Sequence, residues 1–405
     1  MSKFLLLIIL PFALFGSPNS SSEMAKDVDF MKTFDVDPAF LHDAQLQEIK
    51  AKELRKYNKN RLFNDMGDAA AFMPSVKDVF NEYKVPQEFL LLAIAESNFS
   101  AKANSRNGAA GVWQFMPGTA SRYHLRIDKY VDERRDLIKS SRAAAKYLSI
   151  LHDQFGKWYL AAIAYNCGSG YLANAIKKAG TDNLHVLASE KHKYIPPQTR
   201  AYIRKILALG LVENNDGKFL SDESPYTKDQ PSLTPVKVNS GESLDKVSQM
   251  LDLPPDELKK YNRHLTYDLT PPDANSGYEI YIPSKKLNEF NEKYGQDLNK
   301  KKYIVFTPKT EDNVTENDGK FKIPSKIIKD LNKIKTGKIA PKQDVVIQVA
   351  SKSNIVLDKG AYIVKEGDTL ESIANANKVT VAYIKSKNSI KNDSVKAGDR
   401  LYINE

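Results

Sequence analysis

Apolar residues recur at three- and four-residue steps through the first half of the chain, a spacing that predicts one helix after another. Leu46 to Lys56 and Pro74 to Tyr83 carry it first. A stronger helix starts at Pro86, proline being suited to a first turn, and runs through Phe89-Leu-Leu-Leu-Ala-Ile-Ala95 to Glu96 and Ser97. Beyond the polar turn Asn104–Gly108, a further segment opens near Pro117. Ala144, Tyr147, Leu148, Leu151 and Phe155 mark the next helix, which stops at Gly156. Lys157 to Asn166, Tyr171 to Ala179 and Pro197 to Leu209 complete the series, so residues from about 25 to 215 read as one all-helical domain.

The periodicity fails after Leu211, where turn-forming residues gather into a linker. A different plan appears near the C-terminus. Ala361–Leu370 reads as strand, turn and helix start, with Thr369 or Asp368 as the cap. Helical stretches Ser372–Asn377 and Val381–Lys387 and a strand at Asp399–Ile403 follow, giving a small two-strand, two-helix module. The same plan recurs in weaker form at Pro235–Leu244, Pro255–Asn262 and Tyr278–Pro283, and an internal repeat is the economical explanation. The resulting expectation is a signal peptide over 1–17, a helical domain over 18–220, a linker over 221–234, modules over 235–284 and 359–404, and a linker or diverged module over 285–358.

At 405 residues the chain has room for two or three domains. Its net charge of +10 favours an anionic polymer, whether nucleic acid, an acidic membrane surface or a cell-wall glycan bearing acidic peptides, unless it only reflects a lysine-rich proteome. Lys3 followed by the apolar run Phe4–Phe15 and small residues Gly16 and Ser17 reads as a secretory signal peptide, too short to be an ordinary membrane span. Export disfavours nucleic acid as a partner. Cys167 is the single cysteine, so neither an internal disulfide nor a lipid-bearing cysteine beside the signal peptide is expected. The expected location is periplasmic, with retention of the signal segment as an anchor left open.

Glu96 is the residue most at odds with its surroundings, an acid on an apolar helix. Burial would raise its pKa, as would the negative end of the helix dipole. Taken with GVWQFMPGTA from Gly111 and AYNCGSG from Ala164, Glu96-Ser97 resembles the ordered motifs of the family-one lytic transglycosylases of bacterial cell walls. The tryptophan of the second motif, the cysteine of the third and PPQTRAYIRKILAL from Pro196 are similar to the membrane-bound lytic murein transglycosylase D subfamily. The C-terminal repeats resemble LysM modules, which bind glycans containing N-acetylglucosamine. Two departures stand out: the lipoprotein cysteine usual in that subfamily is missing, and Gln198 stands where relatives often carry glutamate.

The resemblance implies a multidomain protein with a mainly α, lysozyme-like (goose-type) catalytic domain followed by small α+β (βααβ) LysM modules. It implies a peptidoglycan lytic transglycosylase that cuts between N-acetylmuramic acid and N-acetylglucosamine without consuming water. Glu96 is its implied catalytic acid and base, with Ser97, Gln114, Met116, Tyr165, Asn166, Tyr194 and Tyr202 as implied substrate contacts. Core packing or loop capping competes with that role for Asn166, Tyr194 and Tyr202, and is preferred for Trp113, Phe115 and Cys167. In the last module Gly367, Asp368, Thr369 and Asn388 are candidate glycan contacts, with a scaffold role as the alternative.

A second carboxylate, usual in glycosidases, is absent from the motifs. Asp128, Asp132, Glu133 and Asp136 sit among basic residues and read as a solvated, capped helix start. The six histidines lack metal-site spacing and read as surface residues, so no metal and no cofactor are expected. Expected partners are peptidoglycan glycan strands, with room for association with cell-wall synthesis or remodelling proteins, and the chain is expected to be monomeric. A muramidase or a non-catalytic wall-binding scaffold remains the competing reading. The modules are expected to be separable: a chain cut near residue 230 should bind sacculi less well and still cleave soluble fragments.

Overall fold

The computed structural model describes residues 21–56, 66–216, 220, 230–254, 256–272, 277–294 and 301–308, and shorter stretches between 312 and 402. The expected signal peptide and most of the 221–234 linker lie outside the described residues. The chain forms two compact units, divided between Ile304 and Val305.

Among the described residues the first unit begins with ten α-helices: α1 Ser21–Thr33, α2 Ala44–Lys56, α3 Met73–Glu82, α4 Leu90–Ser97, α5 Pro117–Arg122, α6 Leu137–Phe155, α7 Trp158–Cys167, α8 Ser169–Ala179, α9 Leu184–Leu187 and α10 Pro197–Asp216. A lysozyme-like helical domain is thus the dominant architecture. Helix α4 forms its centre. Phe89 to Ile94 are all buried, so this helix is held by packing on every side rather than by one amphipathic face. Helix α10 runs against α2, α4 and α7, while α6 packs on α3 and α7. Phe34 stacks on Phe89 with ring centroids 4.9 Å apart, which fixes α1 to the centre. Gly210 is required where α1 meets α10, because a Cβ there would stand 1.8 Å from the Phe30 ring.

The LysM-like module belongs to the same unit. Strand β1 (Leu233–Val238) pairs antiparallel with β2 (Tyr278–Pro283), placing Val236 opposite Ile280, and α11 (Leu244–Met250) and α12 (Glu257–Tyr261) lie between them. Buried Asn262 fastens the second helix to the last strand. Its Nδ2 donates to the Leu258 carbonyl at 2.8 Å and the Tyr281 carbonyl at 2.9 Å, while its Oδ1 accepts from the Tyr281 amide at 2.8 Å.

The module sits directly on the segment that precedes α6. Val131 and Leu265 form an antiparallel bridge, the Asp132 amide donates to the His264 carbonyl at 2.8 Å, and the Thr266 amide donates to the Tyr130 carbonyl at 2.8 Å. Two sequence expectations are corrected here. Glu133 and Asp136 are not solvated but buried, 6% and 1% exposed, because Tyr278 and Tyr281 of the module cover and hydrogen-bond them. His264 is not a surface residue but is enclosed in the same contact. Asp136 does cap α6, accepting from the Ile138 and Lys139 amides. Helix α13 (Leu287–Tyr294) follows β2 within the segment expected as linker or diverged module.

Further along that segment, β3 (Lys301–Phe306) pairs with β6 (Val345–Ala350), and a short pair β4 (Asp312–Asn313) and β5 (Lys338–Ile339) lies between them in sequence. Asn332 repeats the Asn262 arrangement atom for atom. Its Nδ2 donates to the Ile328 and Val346 carbonyls at 2.8 and 2.7 Å, and its Oδ1 accepts from the Val346 amide at 2.6 Å. In the last module, β7 (Ala361–Ile363) pairs with β8 (Arg400–Tyr402), flanking α14 (Leu370–Ala376) and α15 (Val381–Asn388). Asn388 there donates to the Ile384 carbonyl at 2.8 Å, as Asn332 does to Ile328.

Replacing Asn262 with alanine leaves both backbone groups of Tyr281 buried without this partner. We expect a loss of about 2–4 kcal/mol, the cost of stranding two buried polar groups, read by urea denaturation of the first unit.

Candidate active site

Glu96 lies in the last turn of α4, where the exposed backbone carbonyls of the helix end gather negative potential. The helix closes abruptly because Asn98 and Phe99 both take left-handed conformations, with φ of 52° and 60°. Such a pair is costly for residues with a Cβ, and fully buried Phe99 holds it in place. The reversal turns Ser97 toward the loop that carries the second motif. Its Oγ lies 2.8 Å from the Val112 carbonyl and 3.1 Å from the Ala93 carbonyl, and accepts from the Ser100 amide at 3.2 Å.

The loop is itself tightly specified. Trp113 is fully buried, stacks on Phe80 and donates its indole N–H to Ser141 at 2.9 Å. Gly111, at φ 78°, lies so close to the Arg134 carbonyl that a Cβ would stand 1.9 Å from its oxygen. Gln114 is also left-handed and donates to the Gly111 carbonyl at 2.8 Å. Met116, next along, is 43% exposed, a large apolar side chain left facing solvent.

From the third motif, Tyr165 donates its hydroxyl to the Trp113 carbonyl at 2.8 Å and lies close enough to Glu96 for the two to interact electrostatically. Tyr202 of α10 approaches the same carboxyl and is buried, its hydroxyl without another partner of ordinary geometry among the described residues. Glu96, Ser97, Tyr165 and Tyr202 therefore converge, with Gln114 on the loop beside them. Asn166 is exposed and accepts from the Thr199 hydroxyl at 2.8 Å, while Tyr194 stacks on His192. In the last module Gly367 lies outside the described residues. Thr369 there spends its side chain on a capping box with Ser372, and Asn388 on the Ile384 carbonyl.

Burial pushes the Glu96 carboxyl above its ordinary value of 4.5, and the Tyr202 hydroxyl and the Lys205 ammonium pull against that rise without cancelling it. Lys205 also donates to the Ala95 carbonyl at 2.8 Å, answering the orphan acceptors of the helix end. This lysine was missed in the sequence, where it reads as one cation among many in α10. An aromatic row was missed as well. Tyr165 lies 5.3 Å from Tyr147, Tyr147 lies 5.3 Å from Tyr123, and Phe115 completes the group. Tyr147 fits the apolar period of α6 and so reads as core. Burial and the neighbouring Tyr147 push the Tyr123 phenol up to about 12, so these rings stay uncharged at physiological pH. Among the described residues, no group of three or more His, Cys, Asp or Glu stands together to hold a metal ion.

Three stretches of the chain match known domain families. Residues 78–186 match the Transglycosylase SLT domain, 232–297 the LysM-like domain of lytic transglycosylase MltD, and 362–404 the LysM domain. The chain is 27% identical to membrane-bound lytic murein transglycosylase D of Escherichia coli strain K12 over 374 residues, covering 88% of this chain and 81% of that protein. Among solved structures, the 70 kDa soluble lytic transglycosylase of Escherichia coli aligns at 24% identity with a TM-score of 0.29, over 38% of this chain and 26% of that one. The lytic transglycosylase Slt of Pseudomonas aeruginosa aligns at 22% identity and a TM-score of 0.29, over 35% and 24%. The chain thus spans about a quarter of either solved relative.

The raised pKa of Glu96 has a stability consequence. Over the window above 4.5 the folded protein keeps a proton that the unfolded chain has released, so stability falls as pH rises through it. Glu96→Gln removes that penalty. The variant should melt above the wild type at pH 7, and the gap should close at about pH 4, where the carboxyl is protonated in both states. Thermal denaturation at the two pH values reads the difference.

Proposed function

We propose that this chain, which joins a transglycosylase SLT domain to LysM-type modules, is an exported peptidoglycan lytic transglycosylase with Glu96 as its single acid and base. The observation that carries the assignment is a carboxyl raised by burial and surrounded by phenols, with no second acid among the groups that act on it most strongly. A carboxyl that keeps its proton above the ordinary carboxylate range suits a group that must protonate a leaving oxygen. The absence of a second motif carboxylate fits substrate assistance rather than paired-acid hydrolysis.

In this reading Glu96 protonates the oxygen leaving from C1 of the muramoyl sugar as the bond to N-acetylglucosamine breaks. The acetamido group of the same sugar supports the electron-poor C1. Glu96, now a carboxylate, takes the proton of the sugar's own 6-hydroxyl as that oxygen bonds to C1. One bond is broken and one made, the acid regains its proton, and no water is consumed. Tyr202 holds the carboxyl, Ser97 fixes the loop bearing Gln114 and Met116, and the ring row from Tyr165 to Tyr123 offers flat faces to sugars.

The domain limits follow: a catalytic domain over 18–220, a LysM-like module over 235–284 and a LysM module over 359–404. Strand pairing and the Asn332 clasp support a further LysM-like module over 301–350 in place of a linker. The apolar run near the N-terminus supports export to the periplasm. Among the described residues no helix is long and apolar enough to cross a membrane.

Mass spectrometry of digested sacculi decides the chemistry. Products lighter by one water than hydrolytic fragments are expected, and reducing ends alone would favour the muramidase reading. Glu96→Gln should lower turnover by about a thousandfold or more while sacculus binding persists, since a positioned acid commonly contributes a factor of about 100 to 10,000. Ending the chain at Tyr294 keeps the catalytic domain with its LysM-like module. That truncation is expected to pull down fewer sacculi in a sedimentation assay and to cleave soluble glycan fragments at the full-length rate.

A further inference from the structure

The LysM-like module meets the catalytic domain through its connection between α12 and β2. Leu265 is bridged to Val131, and the His264 carbonyl and Thr266 amide are paired with Asp132 and Tyr130. This pairing is reinforced from β2. The Tyr278 hydroxyl donates to Glu133 Oε1 at 2.6 Å, and the Tyr281 hydroxyl donates to Asp136 Oδ1 at 2.8 Å, the same oxygen that caps α6. Both tyrosines are buried, and Tyr281 meets Phe72 edge-on at 5.0 Å.

The gripped segment in turn holds the cleft wall. Arg134, fixed by Asp132 through two hydrogen bonds of 2.8 Å, donates to the Gly108 carbonyl at 2.6 Å and the Phe115 carbonyl at 3.1 Å. Arg135 donates to the Ala101 carbonyl at 2.9 Å. Those contacts reach both ends of the loop carrying Val112, on which Ser97 rests, and Gln114. Hydrogen bonds joined by the backbone steps from Glu133 to Arg134 and from Phe115 to Val112 therefore lead from β2 of the module to the residue beside Glu96.

We infer that the LysM-like module is a bracket of the active site, and that Tyr278 and Tyr281 are positioning residues which set the cleft wall through the segment Asp132–Asp136. The inference rests on the lytic transglycosylase reading of Glu96. A chain cut near residue 230 would lose part of the support of its own cleft, contrary to the expectation of separable modules. A module whose loop is bridged to the catalytic domain has that edge closed to a glycan strand. Its contribution is to turnover, not to polymer capture.

The test uses the full-length protein with Tyr278→Phe, Tyr281→Phe and the double variant, which keep the buried rings and delete only the hydroxyls. On a soluble glycan fragment the double variant should show kcat lower by about ten- to a hundredfold, the range in which small misplacements of a site act, with KM and sacculus binding within about twofold of wild type. Hydrogen exchange gives a second reading independent of activity. The Ala110 amide, bonded to the Phe115 carbonyl, and the Gly111 amide, bonded to the Ala103 carbonyl, should exchange faster, whereas amides of α7 should not. Unchanged kcat and unchanged exchange overturn the proposal. Weakened sacculus binding at unchanged kcat also overturns it, because the module would then be a binder. A wild-type protein that does not cleave glycan refutes the catalytic reading instead, and the exchange result still judges the bracket.

Discussion

A proton kept on a carboxyl inside an apolar helix end is the constraint around which the catalytic domain is arranged. Burial favours the neutral form of Glu96, and the carbonyls at the end of α4 add to that preference. Tyr202 and Lys205 work in the opposite direction, and Lys205 also satisfies the Ala95 carbonyl, so one side chain tempers the acid and closes its helix. The left-handed pair Asn98–Phe99 belongs to the same solution, since it stops the helix directly after Ser97 and sends the chain outward.

Glu133 shows what the same residue becomes with different company. It is buried where Glu96 is only partly so, and burial alone would raise its pKa. Lys139 at 2.7 Å, the Tyr278 hydroxyl and the Arg126 amide outweigh that effect and hold its carboxyl below the ordinary value of 4.5. An anion so fully partnered is suited to structure, not to proton transfer. The chain thus carries one glutamate fitted to hold a proton and one fitted to hold a joint, and their partners separate them. His264 lies in the joint with Nε2 3.8 Å from Asp136 Oδ2 and neither ring nitrogen hydrogen-bonded among the described residues, and burial lowers its pKa, which keeps it neutral. A charged imidazole there would face Lys139 as well as Asp136.

Most of the helical order was legible, because apolar period and glycine stops are local signals. The Glu96 helix was legible for the opposite reason: seven consecutive apolar residues, Phe89–Ala95, demand enclosure, and an acid at their end demands an explanation. Helix α1 and the residue after it carry their information in Phe30, Met31 and Phe34, too few residues to declare a period without their tertiary partners. Glu133 and Asp136 were misread because composition near them is polar, whereas their burial is imposed by tyrosines some 145 positions away, and His264 is enclosed because its loop pairs with the distant segment at Tyr130–Asp132. Lys205 stayed hidden for a similar reason: its partner is a backbone carbonyl on another helix, which has no sequence signature.

The repeated asparagine clasp explains how one module could be turned to a new use without losing its fold. In both cases the amide ties the chain ahead of the closing strand to that strand, Asn262 directly after α12 and Asn332 ahead of β6, so the connection between them is free to change length. Fourteen positions separate Asn332 from Val346, and nineteen separate Asn262 from Tyr281. The longer connection is the one that contains His264, Leu265 and Thr266, the residues paired with the catalytic domain. A module with the shorter loop would keep its clasp and lack the extra chain that reaches Val131. The first repeat departs from the others where it touches the enzyme, and the departure lies outside the framework that the asparagine secures.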